Sequence, residues 1–206
     1  MPTDHVIRDE AALAALYGAP VPASIAKEVD HLHPLYQEFV RAAPFVALAT
    51  SGRDGLDVSP RGDGPGFVAI GDPHTLLLPD RPGNNRIDSL RNILADSRVA
   101  LLFLIPGVNE TLRVNGRAEI SVDPDLLARF EVGGKPPRSV LVVRVETVFF
   151  QCARALMRAS LWDASRHVAR TALPSNGTIL AALSAGRVGG EEYDRSAPAR
   201  LAKGLY

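Results

Sequence analysis

Leu76-Leu77-Leu78-Pro79-Asp80-Arg81-Pro82-Gly83-Asn84-Asn85-Arg86-Ile87-Asp88-Ser89-Leu90-Arg91-Asn92-Ile93-Leu94 changes character twice within one run. An apolar strand expected over 75–78 meets Pro79, Asp80, Pro82 and Gly83, residues that interrupt regular structure. Beyond them Ile87, Leu90, Ile93 and Leu94 recur at helical spacing, and Asn84, whose short side chain suits a helix N-cap, is the expected start of that helix. The run therefore reads as a strand, a tight loop and a helix start, with Arg81 and Arg86 on the loop. The first N–H groups of a helix are unpaired and carry partial positive charge, so this geometry can cradle a phosphate, and flanking guanidiniums add charge-assisted donors. Similar junctions occur without any ligand. The remainder of the chain has to support the reading.

With 206 residues, the chain can be one domain with a sizeable core plus helical extensions. Hydrophobic residues make up 46% and charged residues 22%, an ordinary soluble composition. Lys+Arg and Asp+Glu both number 23, and the zero formal charge argues against an electrostatic partner such as nucleic acid or a membrane surface. Cys152 is the sole cysteine, which excludes an internal disulfide and a cysteine-built metal cluster. No basic-then-apolar leader opens the chain, and no apolar run approaches the roughly 20 residues that span a bilayer. A cytoplasmic location is the expectation.

In chain order, a short Ala/Leu-rich helix is expected over 10–16, ending at Gly18. A second helix capped by Ser24 follows to about residue 42, kinked or split at Pro34. His31 and His33 are two apart and share no helix face, so they read as surface or satisfied histidines. The pattern then becomes strand-like: 45–50, a turn over 51–55, 56–59, a glycine-rich passage at Gly64-Pro65-Gly66, and 67–71. Past the 87–94 helix come strands at 99–105, 111–121 and 139–150, with a short helix over 123–130 between the last two. Helices are expected over 151–162 and 176–185. Short strands joined by close turns indicate an antiparallel barrel, because parallel pairs would need crossover helices between them. Gly62, Gly64 and Gly66 precede a strand rather than a helix, which rejects a dinucleotide fingerprint.

Four segments in this order carry a resemblance: Val58-Ser59-Pro60-Arg61-Gly62-Asp63; Leu78-Pro79-Asp80-Arg81-Pro82-Gly83-Asn84-Asn85-Arg86; Thr111-Leu112-Arg113-Val114-Asn115-Gly116; and Phe149-Phe150-Gln151-Cys152-Ala153-Arg154-Ala155. The chain resembles the FMN-binding split-barrel flavoproteins related to pyridoxamine 5′-phosphate oxidase, in the subgroup of uncharacterised substrate, over about 45–162. The resemblance implies a mainly β fold with flanking helices, a six-stranded antiparallel split β-barrel. It also implies one domain: a helical N-terminal extension (1–43), a barrel core (44–162) and a helical C-terminal extension (163–206). It further implies an FMN-dependent oxidoreductase acting on an unidentified small molecule, a homodimer with FMN at the subunit interface.

Residue by residue, the resemblance implies that Arg61 donates to the phosphate or ribityl chain and that Ser59 lies beside the isoalloxazine ring. Pro79 and Asp80 would offer main-chain groups to the flavin edge, and Asn84, Asn85 and Arg86, with Arg81, would hold the phosphate. Thr111 stands where the oxidase has glutamine, Arg113 aligns with an arginine of the same strand, and Gln151 and Arg154 would approach the partner's flavin. The oxidase's C-terminal substrate motif is absent, which argues against pyridoxamine phosphate as the substrate. The flavin performs the electron transfer itself, so no catalytic acid, base or nucleophile is assigned. Cys152, beside two phenylalanines, reads as a buried small hydrophobe, and Trp162 as core or interface. Asp163 and His167, at i and i+4, read as a solvated or intersubunit contact. The alternatives are the same barrel binding F420 or haem, and a non-enzymatic FMN-binding sensor or storage protein.

Overall fold

The computed structural model describes residues 5–53 and 55–206; residues 1–4 and Asp54 of the expected turn lie outside that range. Among the described residues seven strands form one antiparallel sheet: β1 (Phe45–Gly52), β2 (Gly55–Gly62), β3 (Ala69–Asp72), β4 (Thr75–Asp80), β5 (Arg98–Leu104), β6 (Thr111–Ser121) and β7 (Ser139–Gln151). Their order is β2-β1-β5-β6-β7-β4-β3. This corrects the expected six-stranded barrel. Short β3 adds its own ladder to the outside of β4, and the sheet keeps β2 and β3 as edges instead of closing.

Alternation explains most of the burial. In β1, Val46, Leu48 and Thr50 point inward and are buried, as the two-residue period of a strand requires. In β4, Leu76, Leu77 and Leu78 are all buried, a continuous apolar run suited to a strand lying between β3 and β7. The centre of the sheet is the pairing of β6 with β7, interrupted by a register shift at Asn115/Gly116. Gly116 is required there: a Cβ on it would stand 2.1 Å from the Arg144 carbonyl oxygen.

Eight α-helices among the described residues flank the sheet: α1 (Glu10–Tyr17), α2 (Pro22–Ala26), α3 (Pro34–Ala42), α4 (Asp88–Ala95), α5 (Pro124–Ala128), α6 (Arg154–Ala159), α7 (Asn176–Leu183) and α8 (Gly190–Lys203). The helix expected to be kinked or split at Pro34 is split, into α2 and an α3 that begins at Pro34 itself. Ser24 lies inside α2 and its hydroxyl donates to the Val21 carbonyl, while His33 caps α3 just ahead of Pro34. Between them Val29 exchanges both backbone hydrogen bonds with Val148, which ties the N-terminal extension to β7. Helix α8 was not expected, and it accommodates Pro198 in its interior. It packs against α7 through glycines: a Cβ on Gly177 would meet the Gly190 carbonyl oxygen at 2.3 Å.

Helix α4 sits on β1, and this contact positions the loop before it. Asn92 Nδ2 donates to Thr50 Oγ1 at 3.1 Å, and Gly52 leaves room for the Asn92 side chain, which a Cβ would strike at 2.0 Å. No helix among the described residues is long and apolar enough to cross a membrane.

Candidate functional site

A cleft of about 440 Å³ opens where edge strand β2 approaches the end of β4, within the roughly 300–1,000 Å³ range of small-molecule sites. Two ion pairs hold its walls together. Arg61 of β2 pairs with Asp80 of β4, and Arg81 Nε pairs with Asp63 at 3.2 Å, all four side chains being mostly buried. Arg81 also donates to the Phe130 carbonyl at 2.7 Å, which joins the loop after α5 to the same wall.

Of the residues expected from sequence, Ser59, Arg61, Pro79, Asp80, Arg81, Asn84 and Asn85 line this cleft. Arg86 does not: its side chain is 76% exposed and pairs with Asp88 at 2.8 Å. Asn84 is not the helix cap either. Ile87 occupies that position without a side-chain bond, and Asn84 Oδ1 instead accepts from the Arg86 N–H at 3.0 Å, closing a tight Asx turn. The turn carries backbone strain, with Asn85 at φ 61° and Ile87 at φ 53°. Left-handed backbone is tolerable for asparagine and costly for a β-branched isoleucine. Ile87 is held there while its side chain lines the cleft.

Thr111, Arg113, Gln151 and Arg154 lie elsewhere. Ser139, at the start of β7, faces Asp80 at the cleft, whereas Gln151, at its end, faces Thr111. A 13-residue strand puts these ends on the order of 40 Å apart along the chain. Thr111 is buried; Arg113 donates to Asn115 and lies 5.4 Å over the Phe149 ring. Nearby Cys152 is exposed, contrary to the expected buried position, because the strand ends at Gln151 and the chain turns outward. The Trp162 indole N–H donates to the Val108 carbonyl at 2.8 Å, and Asp163 caps the short turn Ala164–Arg166 instead of pairing with His167 along a helix. No group of three or more potential metal ligands gathers among the described residues.

Sequence reading missed Arg138. Its backbone N–H donates to the Asp80 carbonyl, its guanidinium donates to Asn85 Oδ1 at 2.9 Å, and it lines the cleft. It is the cleft arginine with no carboxylate partner among the described residues, so its charge at the cleft is not neutralised by an ion pair. The available signal was a basic residue directly ahead of the last strand. Sequence reading also missed a cluster at the margin. Tyr206 donates its hydroxyl to Asp63 Oδ1 at 2.6 Å, its ring stacks over Arg81 at 5.4 Å, and its carbonyl accepts from Lys135 at 3.0 Å. Burial pushes the Asp63 carboxyl up, but hydrogen bonds from Tyr206, the Gly64 N–H and Arg81 outweigh it and hold the group below the usual carboxylate range.

Similar folds among solved structures include a variant of HupZ from Group A Streptococcus, 15% identical, covering 58% of this chain and 99% of that one, with a TM-score of 0.49. General Stress Protein 26 from Bacillus anthracis is 15% identical, covering 55% and 88%, with a TM-score of 0.42. A FAD-binding protein from Mesorhizobium loti is 17% identical, covering 59% and 96%, with a TM-score of 0.41. No protein of curated function matches the chain. The sequence model of the pyridoxamine 5′-phosphate oxidase family matches residues 32–152, more than half the chain, and takes in every strand and every cleft-lining residue. The chain belongs to the pyridoxamine 5′-phosphate oxidase family.

Proposed function

We propose that the cleft binds FMN and that the protein is an FMN-dependent oxidoreductase acting on a small molecule. The observation that carries this reading is Arg138, a guanidinium with no carboxylate partner among the described residues, bonded to the Asn85 amide and lining the cleft with Asn84, next to apolar walls from Phe67, Ile87 and Leu90. A phosphate needs the first set and a flat amphipathic ring needs the second. Arg138, Asn84 and Asn85 hold the phosphate, joined by Arg86 once it leaves its exposed pair with Asp88, a contact of small energetic weight. Arg61 and Ser59 face the ring and ribityl chain. The bound flavin supplies hydride or electron transfer, and the protein orients it and limits access by water.

The working unit in this reading is a homodimer. Thr111, Arg113, Gln151 and Arg154 gather at the opposite end of β7 from the cleft lining, and in this reading they serve the cleft of a second copy. Among the described residues the cleft wall offers no histidine, cysteine, methionine or tyrosine, the side chains that ligate haem iron, which favours a flavin or the deazaflavin F420. The test is the visible spectrum of the purified protein, with mass identification of any chromophore released on denaturation. Released FMN is the expected result. A colourless protein that also fails to quench the fluorescence of added FMN overturns the reading. Bound FMN that NADH or NADPH cannot reduce would instead indicate a flavin sensor or store.

A further inference from the structure

Under the cleft, β2 and the first turn of α4 share a hydrogen-bonded chain that ties the cleft residues Arg61 and Ser59 to Ser89 and Asp57, which have no role so far. Arg61 Nε donates to Ser59 Oγ at 3.3 Å. Ser59 Oγ and Ser89 Oγ lie 3.0 Å apart, and Ser89 Oγ donates to Asp57 Oδ2 at 2.9 Å. Asp57, Ser59 and Arg61 alternate along β2 and share one face of the strand, where buried Ser89 meets them.

Chemistry fixes the direction of this chain. A guanidinium has no acceptor, an ionised carboxylate has no proton, and a hydroxyl has one proton and two lone pairs. Arg61 can therefore only give and Asp57 can only receive. The single proton of Ser89 goes to Asp57, so the bond between the two hydroxyls must use the proton of Ser59. One lone pair of Ser59 already accepts from Arg61. What Ser59 has left for the cleft it lines is one lone pair and no proton.

We infer that Ser59 is an acceptor-only residue of the cleft. It selects a ligand that presents an N–H or O–H at that point, against one that presents a carbonyl or ether oxygen, and Ser89 and Asp57 are the positioning residues that keep it so. The inference rests on the flavin reading of the cleft. FMN carries both kinds of group, donors at ring N3–H and the ribityl hydroxyls and acceptors at the ring carbonyls, so Ser59 fixes which part of it docks on β2. Turning the Ser59 proton toward a ligand would break the chain at buried Ser89, which is what gives the selection its force.

The test is a double-mutant cycle on FMN affinity. Ser59→Ala removes the acceptor and weakens FMN binding roughly tenfold. Ser89→Ala takes away the group that fixes the Ser59 proton; the hydroxyl then rotates freely, its lone pair is no longer held toward the ligand's donor, and FMN binding weakens by a smaller factor. The double variant binds no more weakly than Ser59→Ala alone, because Ser89 acts only through Ser59. Ser89→Thr keeps the hydroxyl and restores affinity, and thermal melts without FMN verify that each variant is folded. Additive losses, or full FMN affinity in Ser59→Ala, overturn the inference and leave the flavin reading intact. Wild-type protein that binds no FMN overturns both.

Discussion

Arg61 on edge strand β2 and Asp80 at the end of β4 form an ion pair across the open side of the sheet. Backbone hydrogen bonding ends at both edges, so this pair and the Arg81–Asp63 pair join strands that share no ladder. Each carboxylate neutralises an arginine of the cleft. Removing Asp80 should therefore act in opposite directions on stability and on anion binding. Asp80→Ala is expected to lower unfolding stability by about 2–3 kcal/mol, since it strands a mostly buried charge, while tightening the binding of inorganic phosphate. Denaturant unfolding and phosphate titration check the two signs. A variant that loses both would show that Asp80 shapes the cleft more than it neutralises it.

Arg138 and Arg86 are separated by their present partners. Arg138→Ala should weaken FMN binding roughly 10–100-fold, the strength of a charge-assisted bond to phosphate. Arg86→Ala should cost no more than about fivefold, because Arg86 exchanges one exposed partner for another. Equal losses in fluorescence titrations would place Arg86 at the phosphate as firmly as Arg138.

Ile87 carries a backbone penalty at φ 53°. Ile87→Asn relieves it, since asparagine tolerates the left-handed region. The variant should gain about 1 kcal/mol, roughly 2–4 °C in melting temperature for a chain of this size. Calorimetry reads the gain. An unchanged or lowered melting temperature would mean that the apolar contact of Ile87 outweighs its strain.

Gly116 admits no side chain. Gly116→Ala drives a Cβ into the Arg144 carbonyl between the two longest strands, and should cost more than about 3 kcal/mol or abolish soluble expression. Gly64, where a Cβ meets nothing within 4 Å, is the control: Gly64→Ala should stay within about 1 kcal/mol by the same measurement.

The Asp63–Tyr206 contact has a pH signature. The Asp63 carboxyl is depressed in the folded chain, so its stabilisation is present above the ordinary carboxylate range and lost as pH falls through the lower folded value. The Tyr206 hydroxyl is raised, first by its bond to Asp63 and also by the charge of that carboxylate, so its contribution is present below about pH 10 and lost as pH rises through the higher folded value. Tyr206→Phe should flatten both limbs of the stability–pH curve. Melting temperatures across that range check it, and limbs that match the wild type would show the contact to be energetically silent.

The local chemistry of the chain was legible without coordinates. Apolar alternation and short apolar runs marked the strands, and the Pro79–Asn84 passage marked a break followed by a helix, because both depend on residues close in sequence. The segments that carry the family resemblance also supplied Ser59, Arg61, Pro79, Asp80, Arg81, Asn84 and Asn85 of the cleft lining. What the tertiary structure decided was pairing over distance. Arg138 meets Asn85, Tyr206 meets Asp63, and Ser89 meets Asp57 across separations of 53, 143 and 32 positions, which no periodicity records. It likewise decided that β3 joins the sheet edge, that Ile87 and not Asn84 begins α4, and that Arg86 faces solvent. Each of these depends on where the curled sheet brings β2, β4 and the start of β7 together. A sequence specifies the donors and acceptors a chain carries, but which of them bond to one another, and which remain for a ligand, is settled only when the fold puts them within hydrogen-bonding reach.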